Sequence, residues 1–517
     1  MSDAVSIFND VLGPVMRGPS SSHTAGSHRI AVLATALLGT RPASVRVTFD
    51  PEGSYARVFR QQGSDRAFAA GFIGWPLTDP RFPSALDGAA GEGIELRFDV
   101  GPLADSDHPN EVALELSAPD GSGLALRARS IGGGAVEITR LDGWAVRLTG
   151  RTCDAVVEAD AAAAGEIRAL LQSDRDTAAP PADERRGSSA LIHARRLAPL
   201  PLGVLAALRA TAGVRRVRQA PPIVFMTPGE PLFATAADMV RLANERRCSL
   251  GALALASEAA LLMMTEREAL DEMLGRLDVM LAAVGEGLSE SPPPMQLLAP
   301  SARQIFEADR AGTLALGGLH TRAAARAMAV MHVASGMGVV CAAPTGGSAG
   351  TLAGVVATLT EELGLDRTGA ALALFAASAI GAILATRATF AAEVAGCQVE
   401  IGAAGAMAAA AVAEARGGTP HQAADAAAVA LQNTMGSVCD PVQGMVEIPC
   451  HTRNAVAASS AFVCADLVMG GYKNPIPLDE TIDAAYAVGR MLPHELRCTA
   501  LGGLAVAPSA LRLGRRR

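Results

Sequence analysis

After Pro221, Pro222 and Pro228 the chain becomes a succession of alanine-rich apolar stretches at helical spacing, among them 237–244, 250–264, 266–284 and 323–337. Half of all residues are hydrophobic, yet only 3% are aromatic. A core built from Ala, Val, Leu and Met fits closely packed helices and not a β-sandwich. The run 369–386 is long and apolar enough to cross a membrane. Its Ala and Gly content, the Arg387 directly behind it and the lack of flanking Trp or Tyr favour a buried core helix.

The first part of the chain has a different rhythm. Short alternating segments at 45–49, 94–98, 112–116 and 124–129 predict strands, with Pro119-Asp120-Gly121 as a turn and a helix over 64–73. Gly132-Gly133-Gly134 precedes a further segment at 135–139, and a new unit is expected from Trp144. Its order is strand 145–148, helix 162–171, a polar mobile loop 174–186, strand 189–194, helix 202–211 and strand 214–219. That order resembles a small ligand-sensing ACT-type module. The fold expected is multidomain: an α+β domain over 1–143, an ACT-like α+β module over 144–226 and an all-α domain over 227–517.

A net charge of -8 is mild for 517 residues, and the one basic cluster is the arginines at the C-terminus, so nucleic acid is not an expected partner. Eight widely spaced cysteines do not make a disulfide framework, and no basic-then-apolar signal precedes Ser6. A cytoplasmic protein with reduced thiols is expected, in the form of a homodimer because helical layers leave apolar faces to pair.

Three cysteines stand apart. Cys397, Cys439 and Cys450 each sit in a polar run marked by glycine or proline: Gly396-Cys397-Gln398, Cys439-Asp440-Pro441 and Pro449-Cys450-His451. Three converging thiolates can hold three irons of a cubane cluster and leave a fourth iron open to substrate. Cys341 and Cys464 follow valines in apolar settings and read as core. Near the start, Ser20, Ser21, Ser22, His23 and Thr24 follow Gly18-Pro19 and stop any helix; their hydroxyls and amides can cradle a carboxylate. Thr345, Gly346, Gly347 and Ser348 form a loop that can present amides to an anion, and it lacks the Gly-Lys ending of a nucleotide loop.

These motifs, in this order, resemble the iron-sulfur-dependent L-serine dehydratases of bacteria, with Leu496-Arg497-Cys498-Thr499 near the close. The likeness covers nearly the whole chain, as a β-chain-like domain, the ACT-like module and an α-chain-like catalytic domain fused together. It implies a [4Fe-4S] cluster on Cys397, Cys439 and Cys450, and conversion of L-serine to pyruvate and ammonia by β-elimination without pyridoxal phosphate. It also implies that Ser20, Ser21, Ser22, Thr24, Thr345, Gly346, Gly347, Ser348, Arg453 and Asn454 bind the amino-acid substrate or tune the cluster.

This chain departs from the family at places that matter. Gln61-Gln62-Gly63-Ser64-Asp65 stands where the family has Gly-His-Gly-Thr-Asp, and glutamine is no base near neutral pH. His23, His28 or His332 is then the candidate base. Alternatively the pocket acts on another small β-hydroxy or β-thiol acid such as L-threonine or L-cysteine, or the chain is a non-catalytic cluster-binding paralogue. Cys498 stands where a glutamate is usual, and Cys498 or Cys341 as a fourth ligand would weaken the lyase reading.

Overall fold

The computed structural model describes residues 4–172 and 176–514; the terminal arginines 515–517 and the first residues of the loop expected over 174–186 lie outside the described residues. The protein is a sheet-rich N-terminal region docked on a helical C-terminal region. A three-residue strand Val15–Arg17 (β1) leads into the serine-rich turn. A six-stranded sheet follows, made of Ser44–Phe49 (β2), Glu95–Val100 (β3), Glu111–Ser117 (β4), Gly123–Gly132 (β5), Ala135–Leu141 (β6) and Trp144–Leu148 (β7). Its order is β3-β2-β4-β5-β6-β7, antiparallel except for the β2–β3 pair. The helices Gly26–Leu38 and Ser64–Phe72 cover one face, and Ile30, Leu33, Phe68 and Phe72 meet Val45, Val47, Phe49 and Leu114 in one core.

The second unit holds Cys153–Asp160 (β8), Ala182–Arg186 (β9), Ser189–Arg196 (β10) and Val214–Ala220 (β11) in the antiparallel order β11-β8-β10-β9, with helices Ala164–Leu171 and Leu202–Ala210. Two expectations change here. The strand expected to open this unit is β7, which instead closes the first sheet by pairing with β6. The loop expected to be mobile contains the edge strand β9, paired with β10 from Ala182 to Arg186.

The helical region is an alanine core. Its central helix Arg367–Arg387 packs against Ile401–Ala415, Leu250–Leu262 and Glu266–Gly287. By length and composition it is the one described helix able to cross a membrane, and 72% of its apolar window is buried inside the protein. Small residues allow such packing: a Cβ on Gly350 or Gly354 would lie 2.3 or 2.6 Å from the Ala327 backbone.

The chain's beginning is threaded into this core. Ser6 Oγ and the amides of Ile7 and Phe8 donate to the buried Glu258 carboxylate (2.6, 2.9 and 3.2 Å). Phe8 meets Phe375 edge-on at 6.1 Å, and Ile7, Val11 and Leu12 are buried with it. β1 then pairs antiparallel with Val339–Cys341 (β12), Val15 opposite Cys341. This cross-strand carries the serine-rich turn onto the helical region.

Candidate metal and active site

The three singled-out cysteines come from separate segments and meet in one buried place. Cys397 opens the turn before the Ile401–Ala415 helix, Cys439 lies in the loop after Pro420–Gln432, and Cys450 is the first residue of Cys450–Met469. The Cys397 and Cys439 sulfurs and a Glu400 carboxylate oxygen all lie within 4.8 Å of one another. Cys450 stands within electrostatic reach of Cys397, Glu400 and Arg453. Contact with the Cys439 thiol and burial push the Cys397 thiol well up, and burial does the same to Cys450. Such thiols hold their protons until a metal displaces them.

Arg453 braces the group. It donates to Cys397 Sγ (3.5 Å) and to the Val438 carbonyl (2.7 Å), and pairs with Asp440 at 2.9 Å. Asn454 donates to the carbonyls of Gly347 and Cys450 (2.8 and 2.9 Å) while its side-chain oxygen accepts from the Thr351 amide (3.0 Å). It ties the glycine loop to the third cysteine. A cleft of about 310 Å³ opens beside Cys397, Thr452 and Arg453.

The two anion-cradling loops touch. A Cβ on Gly346 would sit 2.9 Å from the Pro19 carbonyl and 3.0 Å from the Ser21 nitrogen, so only glycine lets the loops close. Thr345 Oγ1 donates to Glu400 (2.5 Å), and Ser348 and Thr345 cap each other. Burial pushes the Glu400 carboxyl up to about 7.

The three histidines separate. His23 lies in the serine-rich turn, with Nε2 3.0 Å from Ser54 Oγ, Nδ1 3.7 Å from Glu393 Oε1 and its ring 4.5 Å from that of Tyr55. His28, one turn into the next helix, is committed to the Trp75 carbonyl at 2.7 Å. His332 is fully buried in the helical core, 5.2 Å ring to ring from His451, and neither of its nitrogens has a hydrogen-bond partner among the described residues. Burial lowers all three, to about 3, 4 and 4. Gln62 donates its side-chain amide to the Gly444 carbonyl (3.0 Å), and its backbone carbonyl accepts from Thr24 Oγ1 (2.7 Å).

Two carboxylates escaped the sequence reading. Glu393 and Glu400 flank Cys397, four residues before it and three after; Glu393 is buried against His23 of the serine-rich turn, and Glu400 is half-buried against Thr345 of the glycine loop. The signal was their place in the cysteine's own run. Cys498 also reaches the site: its amide donates to the Cys439 carbonyl (2.8 Å), and it joins Cys397 and Cys439 in one cluster. Cys341 is elsewhere, in β12 within the helical core.

A sulfur-and-carboxylate pocket closed by a serine-rich turn from a second region defines an enzyme whose donor set suits a thiophilic metal group. Residues 218–505 match the family model described as serine dehydratase alpha chain. The chain belongs to the iron-sulfur L-serine dehydratase family, and it is an enzyme of the dehydratase and ammonia-lyase class. It is 38% identical over 282 residues to the probable L-serine dehydratase alpha chain of Bacillus subtilis (strain 168), covering 54% of this chain and 94% of that one. It is 35% identical over 285 residues to the L-serine dehydratase alpha chain of Peptoniphilus asaccharolyticus, covering 55% of this chain and 98% of that one. The probable L-serine dehydratase beta chain of Bacillus subtilis (strain 168) is 41% identical over 145 residues, covering 28% of this chain and 64% of that one.

Proposed function

We propose that this protein dehydrates and deaminates L-serine to pyruvate and ammonia, with a [4Fe-4S] cluster held by Cys397, Cys439 and Cys450. The observation that carries the reading is the meeting of three buried thiols from three segments, with Arg453 donating to one of them and Glu400 linking them to the glycine loop that touches the serine-rich turn. The donor set fits the group: three sulfurs leave one cluster corner without a thiolate, and an arginine balances the negative charge. When bound, such a cluster would supply a Lewis acid for the substrate's β-hydroxyl.

The chain's own residues do the rest. Ser20, Ser21, Ser22 and Thr24 offer hydroxyls and amides to the substrate carboxylate, and Thr345 to Ser348 close over it. Arg453 and Asn454 hold the thiol segments and the glycine loop in register. Of the three candidate histidines, His23 is the one whose surroundings support a part in proton handling. Gln62 favours a second reading, the same elimination on another small β-hydroxy or β-thiol acid.

The reading extends to the whole chain: a β-chain-like domain that runs through β7, an ACT-like module from β8 to residue 226 supported by its β11-β8-β10-β9 order, and a catalytic domain over 227–517. It includes a cytoplasmic homodimer, supported by the exposed Val463 and Leu467 on one helix. The test is anaerobic reconstitution followed by pyruvate detection with L-serine, L-threonine and L-cysteine. Cluster-dependent pyruvate from L-serine, absent in Cys439→Ala, is the expected result; a loaded protein that turns over none of them would overturn the reading.

A further inference from the structure

The resemblance places a histidine where this chain has Gln62, and Gln62 is spent on structure, its side-chain amide bound to the Gly444 carbonyl. An amide has no basic site near neutral pH, so the α-proton needs another acceptor. His23 is close, but its two nitrogens are already engaged. Ser54 gives its hydroxyl proton to Asn110 Oδ1, which leaves Ser54 Oγ to accept from His23 Nε2–H (3.0 Å). That chain sets the tautomer: Nδ1 carries the lone pair, and it faces Ser20 Oγ (3.4 Å) and Glu393 Oε1 (3.7 Å).

Glu393 stands at the Nδ1 end of this chain. It comes from the helical region, in the short helix Ala392–Ala395 just before Cys397, and crosses to Ser22, His23, Tyr55 and Asn110 of the N-terminal region. Its side chain is 5% exposed, and His23 is its one basic partner within 4 Å among the described residues. A buried carboxylate without an arginine or lysine is costly to keep ionised, which is the condition for taking a proton. Burial accordingly raises its proton affinity. The titratable groups facing it are His23, Tyr55, Glu400 and Cys498.

Resting on the lyase reading above, we propose that Glu393 is the base that removes the substrate's α-proton, with His23 positioning its carboxylate. The Cα–H bond breaks, its electron pair forms the Cα=Cβ bond, and the β-hydroxyl leaves with its own bonding pair, takes up a proton and departs as water. The α-proton passes to the Glu393 carboxylate, and no oxidant or reductant is required. Glu393 is the catalytic residue here, and His23 is a positioning residue.

The experiment compares wild type, Glu393→Gln, Glu393→Asp and His23→Asn after anaerobic reconstitution. Three readouts are taken: cluster absorbance with its change on adding L-serine, washout of deuterium from [2-²H]-L-serine, and pyruvate formation against pH. Glu393→Gln is expected to keep the cluster and its response to L-serine while losing washout and turnover by roughly 10²–10⁴-fold. Glu393→Asp, which keeps a carboxylate, is expected to retain intermediate activity with an acid limb that Glu393→Gln lacks. His23→Asn is expected to shift that limb with a smaller loss in rate. Glu393→Gln within tenfold of wild type, or Glu393→Gln and Glu393→Asp alike, would overturn the assignment. A wild type that shows no cluster response to L-serine would instead sink the lyase reading itself.

Discussion

At the scale of single residues, the thiols were readable because each sits in a polar run beside a helix breaker, where a core cysteine has no reason to be. Glu393 and Glu400 were not, because a lone acidic residue in an alanine-rich stretch looks like a solvated face until the fold buries it. Cys498 divides two readings of the site. Cys498→Ser is expected to leave the reconstituted cluster's absorbance intact while Cys397→Ser abolishes it; equal loss in both would make a four-thiolate centre and remove the open corner. His332 gives a pH prediction. Burial holds its imidazole at about 4, so in the folded state it stays neutral while the unfolded chain takes up a proton below about pH 6.5. Stability from this residue is therefore lost as pH falls from about 6.5 towards 4. His332→Leu is expected to gain about 2 kcal/mol more over wild type at pH 5 than at pH 8, read from urea midpoints, and to keep its pyruvate formation. An identical gain at both pH values would contradict a neutral, buried imidazole.

At the scale of elements, alternation found the strands that have one wet face and missed those that do not. β8 is buried along nearly its whole length as a central strand, so its period-2 signal vanishes. β9 is the opposite, an edge of Ala-Asp-Glu-Arg-Arg with no apolar face to announce it. The helices were plain, since their 3.6-residue apolar spacing survives even with alanine as the main core residue. The opening turn Ile7–Val11 is too short to carry such a period, yet it is tied to Glu258 and Phe375. Phe8→Ala is expected to cost about 3–5 kcal/mol, measured by denaturant unfolding. A loss below about 1 kcal/mol would mean that this turn only rests on the helices.

At the scale of the whole molecule, the helix Cys450–Met469 leaves Val463 and Leu467 in solvent, while Val456 lines the cleft beside Cys397 and Cys450 and Asn454 are buried. If two copies pair on this face, Val463→Glu with Leu467→Glu is expected to reduce the mass found by light scattering from twice 52.7 kDa to that of one chain. An unchanged mass would place the contact elsewhere.

The threading of the first residues through the helical region also bears on how the chain is made. Ile7, Phe8, Val11 and Leu12 leave the ribosome long before the helices they pack on, and Ser6 must wait for Glu258, 252 residues on, and Val15 for Cys341. At about 5–20 residues per second that wait is on the order of tens of seconds. This early greasy segment is thus covered late, and the serine-rich turn behind it cannot reach the thiols before then. Synthesis of the helical region, more than the speed of helix formation, sets the earliest moment at which the pocket exists.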